Sequence, residues 1–206
     1  MNMSYLPLRA ASAVLAITVL GCAPEPTSSC CSDAPAAVAP LPGSSVWQLT
    51  APCRDQTGRE RQWTDFRGRP VLITMVFTHC AYACPTIAAD LEAVLAQRAD
   101  HTDLHVVMVS MDPARDDPAA LAAFADRHHL PAARFTLLQP RPVDVPEIAA
   151  VLGIRYAPAD GGDFSHSNVL TLLDQDGSVA ARIEGLGADA SPLLEAWDRL
   201  SAAPVR

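Results

Sequence analysis

Residues 71–85, VLITMVFTHCAYACP, join an apolar run to a pair of cysteines. The run from residue 71 to 77 is apolar and β-branched along nearly its whole length, as expected for a strand buried on both faces of a sheet. Pro85 suits the first turn of a helix, and apolar residues then recur at helical spacing as far as Leu95. The stretch predicts a strand followed by a helix, with Cys80 and Cys84 at the junction.

The rest of the chain repeats this alternation of strands and helices. The patterns predict an N-terminal hairpin whose limbs are 47–50 and 61–64, strands at 104–110 and 135–138, helices at 119–128 and 146–152, a hairpin at 169–183 and a helix at 191–200. This order predicts an α/β fold: a central mixed β-sheet flanked by helices, with an N-terminal hairpin. The cysteine pair falls at the carboxyl end of the first central strand, where α/β sheets place their chemistry.

Composition limits the class of protein. The 206 residues suit one domain with appendages, and 50% hydrophobic with 18% charged residues fits a globular chain. The formal charge is -8, and every basic residue is Arg. Nucleic-acid binding needs a clustered basic surface, so nucleic acid is not expected as a partner.

The N-terminus predicts export and attachment to a membrane. Residues 1–22 have a short basic head and about eleven apolar residues, too few for a membrane span of roughly 20. Val19-Leu20-Gly21-Cys22 resembles a lipobox, which predicts a lipoprotein signal peptide with lipid on Cys22, although an ordinary signal peptide is the alternative. Residues 23–44 form a Pro/Ala/Ser-rich tether, and residues 45–206 form the domain. The domain is therefore expected in the periplasm, tethered to a bacterial membrane.

Six cysteines raise the question of disulfide bonds. Once Cys22 is assigned to lipid, five remain, and an odd number cannot all pair within the chain. Cys30 and Cys31 lie in the tether. They are either auxiliary thiols or residues that have no function in a variable linker. Cys53 is expected to be a small buried or turn residue.

Cys80 and Cys84 could form a disulfide, a redox couple or part of a metal site. In the first turn of a helix, residues i and i+4 lie on one face about 5 to 6 Å apart. The helix N-terminus favours thiolate over thiol, which benefits redox and metal chemistry alike, so the pair alone does not decide. Two sulfurs suit Cu(I), and a nitrogen donor extends the site to Cu(II). His166 is the preferred donor because its loop runs into a predicted strand, whereas His79 would point away from Cys80 in extended backbone.

Three segments in this order carry a family resemblance: VFTHCAYACP (76–85), VSMDPARDDP (109–118) and FSHSNVLTLLDQDG (164–177). They resemble the Sco/SenC family of thioredoxin-fold copper proteins, which assist assembly of the CuA centre of cytochrome c oxidase. The resemblance covers about residues 46–200. It implies Cys80, Cys84 and His166 as copper ligands, copper as Cu(I) and Cu(II), and cytochrome c oxidase subunit II or another copper acceptor as partner.

The chain departs from the family pattern at two places. Members commonly have Pro after the first Cys and an acidic residue between the two cysteines, whereas this chain has Ala81, Tyr82 and Ala83. Members often have Asp before the His, where this chain has Ser165. Both changes remove negative charge. Asp112 matches the loop acid of the family, and an Asp that only forms a turn before Pro113 explains it equally well.

Three functions are compatible with these residues. The first is copper binding and delivery without enzymatic turnover, with reduction of the acceptor's cysteines as an accompanying activity. The second is a thiol-disulfide oxidoreductase or peroxidase that uses Cys80 and Cys84 as its redox pair. It leaves His166 unexplained, and Thr78 stands two residues before Cys80 where a peroxidase needs three. The third is a structural role, in which the cysteines form a passive disulfide or bind a structural zinc ion.

Overall fold

The structure is a computed structural model that describes residues 41–80, 83–98, 104–159 and 164–202. The signal peptide, the lipid attachment at Cys22, the tether thiols Cys30 and Cys31 and nearly all of the tether fall outside these residues, and so do Ala81 and Tyr82. These features stay predictions. Within the described ranges, no helix combines the length and the apolar character that crossing a membrane requires.

Nine strands and four α-helices make up the described domain. The strands are β1 (Cys53–Asp55), β2 (Glu60–Arg61), β3 (Val71–Val76), β4 (His105–Ser110), β5 (Phe135–Pro140), β6 (Tyr156–Pro158), β7 (Phe164–His166), β8 (Val169–Leu173) and β9 (Val179–Glu184). The helices are α1 (Ala83–Ala96), α2 (Pro118–Arg127), α3 (Val145–Leu152) and α4 (Ser191–Ala202). Short 3-10 helices cover Val46–Gln48, Trp63–Phe66 and Pro142–Asp144.

The strands form a seven-stranded mixed sheet and a separate pair. The large sheet has the order β2-β1-β5-β4-β3-β8-β9, in which β3, β4 and β5 run parallel and the other neighbours antiparallel. Every residue of β3, β4 and β8 is buried, as their mainly apolar sequences predict. Thr74, the polar residue of β3, donates its hydroxyl to the carbonyl of Val169 at 2.8 Å. The predicted α/β fold with a mixed central sheet is confirmed.

The parallel pairing of β3 with β4 positions the site. Val76 pairs with Ser110, so the segments that follow these strands leave the sheet at the same edge. The first is the turn Phe77–Cys80, which leads into α1, and the second is the loop Met111–Asp117, which leads into α2. The amide of Met111 donates to the carbonyl of Val76 at 2.9 Å and holds the two segments together.

Several sequence-based boundaries were wrong. The N-terminal hairpin exists, but its strands are β1 and β2, within the segment expected to be the connection, and the expected limbs contain 3-10 helices. The strand predicted at 135–138 extends to Pro140 and lies inside the sheet, between β1 and β4. The small sheet of β6 and β7 was not predicted, and it places His166 at the end of a strand.

The N-terminal segment of the domain packs on the β8–β9 turn. The amide of Val46 donates to the carbonyl of Gly177 at 2.9 Å, and the hydroxyl of Ser45 donates to the carbonyl of Asp176. Gly177 has φ +82°, and a Cβ there would lie 2.6 Å from Cδ1 of the buried Trp47. Glycine is therefore required at this turn, because the backbone has a positive φ and because a Cβ would clash with the side chain of Trp47.

Candidate metal centre

The site begins with a β-turn at the end of β3. The amide of Cys80 donates to the carbonyl of Phe77 at 3.2 Å, which places Thr78 and His79 at the two central positions. The backbone is therefore turned at His79. This residue was set aside as a ligand for the case of an extended backbone, and the backbone is not extended there. The turn presents Cys80 half-buried at the edge of the sheet.

Two hydrogen bonds join the cysteines to this turn. The amide of Cys84 donates to Sγ of Cys80 at 3.4 Å, and the amide of Phe77 donates to Sγ of Cys84 at 3.4 Å. The described part of α1 begins at Ala83, so Cys80 precedes these helical residues and its sulfur accepts from one of the first amides of α1. Both thiols are free. The structure thus brings together the two cysteines singled out in the sequence.

The two thiols differ in exposure. Cys84 is fully buried, and burial raises the pKa of its thiol, while the hydrogen bond from the amide of Phe77 acts in the opposite direction. Desolvation therefore outweighs the stabilisation of thiolate that the start of a helix offers. Burial therefore favours the thiol form of Cys84, and a metal ion that binds this sulfur must displace the proton.

His166 lies on the other side of Phe77. It is the last residue of β7, opposite Tyr156 of β6, and its ring meets the ring of Phe77 edge-on with centroids 6.0 Å apart. The ring is half-buried, and burial lowers the pKa of the imidazole. Nδ1 lies 3.3 Å from the carbonyl oxygen of Ser167. With the proton on Nδ1, this contact leaves the lone pair of Nε2 for a metal ion.

The three proposed ligands do not form a closed cluster. Within the described ranges, no group of three or more His, Cys, Asp or Glu side chains is close enough together to hold a metal ion. Phe77 contacts Cys84 through its amide and His166 through its ring. Cys80, Cys84 and His166 as a ligand set therefore stays a prediction.

A buried carboxylate next to the cysteine turn escaped the sequence analysis. Asp116 accepts hydrogen bonds from the amide of Thr78 at 3.1 Å, from its hydroxyl at 2.6 Å and from the hydroxyl of Ser110 at 2.6 Å. Asp112, the loop acid noted in the sequence, instead forms an ion pair with Arg115. The signal that could have found Asp116 is its position, since it and Thr78 follow neighbouring parallel strands.

Cys53, the other thiol in the described ranges, has no place in this site. It lies on β1, is buried and donates to the carbonyl of Ala51 at 3.7 Å. Burial, with a smaller contribution from the charge of Asp144, raises its pKa to about 12. It is an unreactive core residue, as expected for a small buried side chain.

Comparison with models of protein families identifies the family of the chain. The model of the family SCO1/SenC matches residues 48–200. The chain belongs to the SCO1/SenC family. The matched range contains Cys80, Cys84 and His166, and the resemblance noted in the sequence is confirmed over this range.

Individual SCO1/SenC relatives agree with this assignment. A candidate copper-binding protein of Stutzerimonas stutzeri is 29% identical over 135 residues, which cover 63% of this chain. The match spans 65% of that protein, so the chain spans less than two thirds of the length of this curated relative.

Solved structures of SCO1/SenC proteins share the fold. A SCO1/SenC family lipoprotein from Bacillus anthracis aligns with a TM-score of 0.68 and 22% identity over 75% of this chain and 95% of its own. ScoI of Bradyrhizobium japonicum, solved with copper bound, aligns with a TM-score of 0.59 and 25% identity over 73% of this chain and 95% of its own. The thioredoxin-like α/β fold is therefore confirmed.

Proposed function

We propose that this protein binds copper through Cys80, Cys84 and His166 and delivers it to the CuA site of cytochrome c oxidase or to another copper acceptor. The observation that carries the proposal is the contact of Phe77 with both sides of the site: its amide reaches Cys84 and its ring reaches His166. The two sulfurs and the imidazole nitrogen therefore lie around one residue, Phe77. These donors suit Cu(I) and Cu(II).

The family relationship supports copper as the ion. The ScoI protein of Bradyrhizobium japonicum was solved with copper bound, and BsSco, another solved structure with this fold, is a member of the Sco family of cytochrome c oxidase assembly proteins. Copper is cargo in this proposal. It enters as the thiols lose their protons and leaves by exchange onto the thiolates of the acceptor.

The exposure of the cysteines fits a transfer site. Cys80 is half-buried and Cys84 is fully buried, so an incoming thiolate reaches copper from the side of Cys80. Completion of the three-ligand site requires His166 to approach the sulfurs past the ring of Phe77. The short sheet of β6 and β7, outside the seven-stranded sheet, is the element that would move.

We further propose that lipid on Cys22 tethers the domain to the periplasmic face of a bacterial membrane. The SCO1/SenC lipoprotein of Bacillus anthracis supports this arrangement. Mass spectrometry of the membrane fraction tests it. A diacylglyceryl group on Cys22 is expected, and a soluble chain that retains residues 1–21 would contradict the proposal.

Copper stoichiometry and the ultraviolet-visible spectrum of the reduced, anaerobic chain test the ligand set. One equivalent of copper and a thiolate-to-Cu(II) charge-transfer band are expected, and His166→Ala should abolish the band. His128→Ala is a matched control, because His128 is also half-buried and packs on a phenylalanine, Phe124, with centroids 4.4 Å apart. A chain that binds no copper, or a charge-transfer band that is unchanged in His166→Ala, would contradict the ligand assignment.

The second candidate function is thiol-disulfide exchange by the same cysteines. The unequal exposure of Cys80 and Cys84 favours it, since an accessible attacking thiol and a buried resolving thiol suit this reaction. An insulin reduction assay with dithiothreitol separates the candidates. Turnover lost in Cys80→Ser but retained in His166→Ala would establish the exchange activity.

A further inference from the structure

Asp116 is a buried acid whose contacts lead directly to the cysteine turn. Its exposed fraction is 0%, and its oxygens accept two hydrogen bonds from the hydroxyls of Thr78 and Ser110, both at 2.6 Å. The amide of Thr78 lies 3.1 and 3.2 Å from the two oxygens. These donors come from the ends of β3 and β4, so the carboxylate joins the segments that follow both strands.

The donors around Asp116 are neutral. Its ion-pair partner in the described part of the chain is His79, whose Nδ1 lies 3.7 Å away on a side chain that is 52% exposed. The neighbouring Arg115 forms an ion pair with Asp112. A carboxylate that is removed from water beside a partly solvated imidazole keeps most of its electrostatic effect on nearby groups.

Asp116 is connected to both thiols of the candidate site. Thr78 lies two residues before Cys80 in the same turn, so its hydrogen bonds to Asp116 restrict the backbone that carries that sulfur. Asp116 is also connected to Cys84, because the amide of Thr78 that donates to Asp116 directly follows the amide of Phe77 that donates to Sγ of Cys84.

We propose that Asp116 is a positioning residue of the copper site with two separable effects. Its hydrogen bonds to Thr78 fix the turn that presents Cys80, and its negative charge shifts the preference of the site from Cu(I) towards Cu(II). The inference rests on the proposed function and names a determinant of which copper ion the site prefers.

The sign of the charge effect follows from the ligands. Two thiolates, a neutral imidazole and Cu(II) have a net charge of zero, and the same ligands with Cu(I) have a net charge of -1. Reduction adds one electron from a soluble mediator and leaves the protons and the ligands unchanged. A nearby negative charge disfavours the added charge, so removal of the charge of Asp116 favours Cu(I).

Two variants separate the effects, and a third is a matched control. Asp116→Asn removes the charge, whereas Thr78→Val keeps the charge and removes the hydroxyl. Asp55→Asn is the control, because Asp55 is also a buried acid that accepts from the amide and the hydroxyl of one threonine, Thr57. Asp55 lies on β1, which β5 and β4 separate from β3.

The first measurement is the ratio of the Cu(II) and Cu(I) dissociation constants, from competition with glycine for Cu(II) and with bicinchoninate for Cu(I). Asp116→Asn is expected to shift the ratio towards Cu(I) by at least about threefold, the size of effect that one charge exerts across a partly screened site. Thr78→Val and Asp55→Asn are expected to leave the ratio within about twofold of the wild type. A ratio unchanged in Asp116→Asn, or shifted equally in Asp55→Asn, would overturn the charge effect.

The second measurement needs no copper. Iodoacetamide labelling of the reduced chain, followed peptide by peptide, is expected to be at least about threefold faster at Cys80 in Asp116→Asn and Thr78→Val, with no change in Asp55→Asn. Unchanged labelling in Thr78→Val overturns the positioning effect, even if Asp116→Asn does not fold. A wild-type chain that holds no copper defeats the proposed function, and the labelling result then decides the positioning effect by itself. Urea unfolding of each variant separates these local effects from a general loss of stability.

Discussion

The imidazole of His166 meets the ring of Phe77 edge-on, with the centroids 6.0 Å apart and the planes inclined by 76°. Phe77 also packs edge-on against Phe164 at 5.5 Å, and its amide contacts Cys84. One buried residue at the end of β3 therefore connects the cysteines to the small sheet that carries the histidine. Its side chain contacts the ring of His166, and its backbone amide contacts Sγ of Cys84.

Phe77→Leu should separate these two roles. The amide contact with Cys84 remains, while the ring contacts with His166 and Phe164 are lost. We expect the free energy of unfolding to fall by about 1 kcal/mol, as is usual for the loss of one aromatic contact. We also expect a shift in the Cu(II) charge-transfer band, measured by absorption spectroscopy.

Phe124→Leu is the matched control for this change. It removes a ring that packs on His128 and should cost similar stability. Its copper spectrum should equal that of the wild type. Identical spectra for both variants would show that the ring of Phe77 does not determine where His166 lies.

The thiols of the described domain should react in a fixed order. Cys80 is half-buried, whereas Cys84 and Cys53 are buried with a raised pKa. Iodoacetamide should therefore alkylate Cys80 at least about tenfold faster than the other two, because the thiolate is the reactive form. Peptide mass spectrometry gives the three rates. In denaturant the rates should converge, and preferential labelling of Cys84 in the native chain would contradict the described burial.

Buried His105 should make the fold sensitive to acid. It lies at the start of β4, its Nε2 is 2.8 Å from the hydroxyl of Thr136, and burial, with smaller effects of Arg69, Arg61 and Arg134, lowers its pKa to about 4. The unfolded chain takes up the proton near its ordinary value of about 6.5. Stability is therefore highest above this value and falls between about pH 6.5 and 4, by about 3 kcal/mol from this group.

Urea unfolding across this pH range, compared between the wild type and His105→Gln, measures the contribution of His105. His128 and His166 also have a lowered pKa, mainly because of burial, and they contribute in the same direction in both proteins. The wild type should lose more stability than the variant as the pH falls. Equal slopes for the two proteins would rule out His105 as the acid-sensitive group.

Two glycines in Asp-containing turns provide a matched test of packing. Gly177 has φ +82° and Gly58 has φ +80°, so Ala is strained by about 1 kcal/mol at either position. A Cβ at Gly58 meets nothing within 4 Å, whereas at Gly177 it meets the side chain of Trp47. Thermal unfolding should show a clearly larger loss for Gly177→Ala, and equal losses would mean that Trp47 moves aside at no cost.

The main features of the fold could be predicted because they depend on local patterns. The strands β3, β4 and β8 are mainly apolar runs, and such runs favour strands buried on both faces of a sheet. The limbs of the N-terminal hairpin were misplaced because Trp47 and Trp63 were read as strand residues. Both side chains are buried, but they reach the core from 3-10 helices, and the pattern of apolar residues alone does not separate these cases.

Local sequence patterns predicted the cysteine pair, whereas His166 as the third donor stays a prediction. Cys80 and Cys84 are four residues apart, and the start of a helix brings them together. Thr78 and Asp116 are 38 residues apart, and their contact depends on the register of β3 with β4. The contact of Phe77 with His166 depends likewise on the small sheet, whose short strand β6 ends in a proline and gives little local signal.

The contact of Val46 with Gly177 places the start of the domain at one end of the sheet. Val71, at the beginning of β3, pairs with Leu173, so the β8–β9 turn lies at the end of the sheet where β3 starts. The cysteine turn follows the other end of β3, and six residues of strand span about 20 Å. The start of the domain and the cysteine turn therefore lie at opposite ends of β3, with the length of that strand between them.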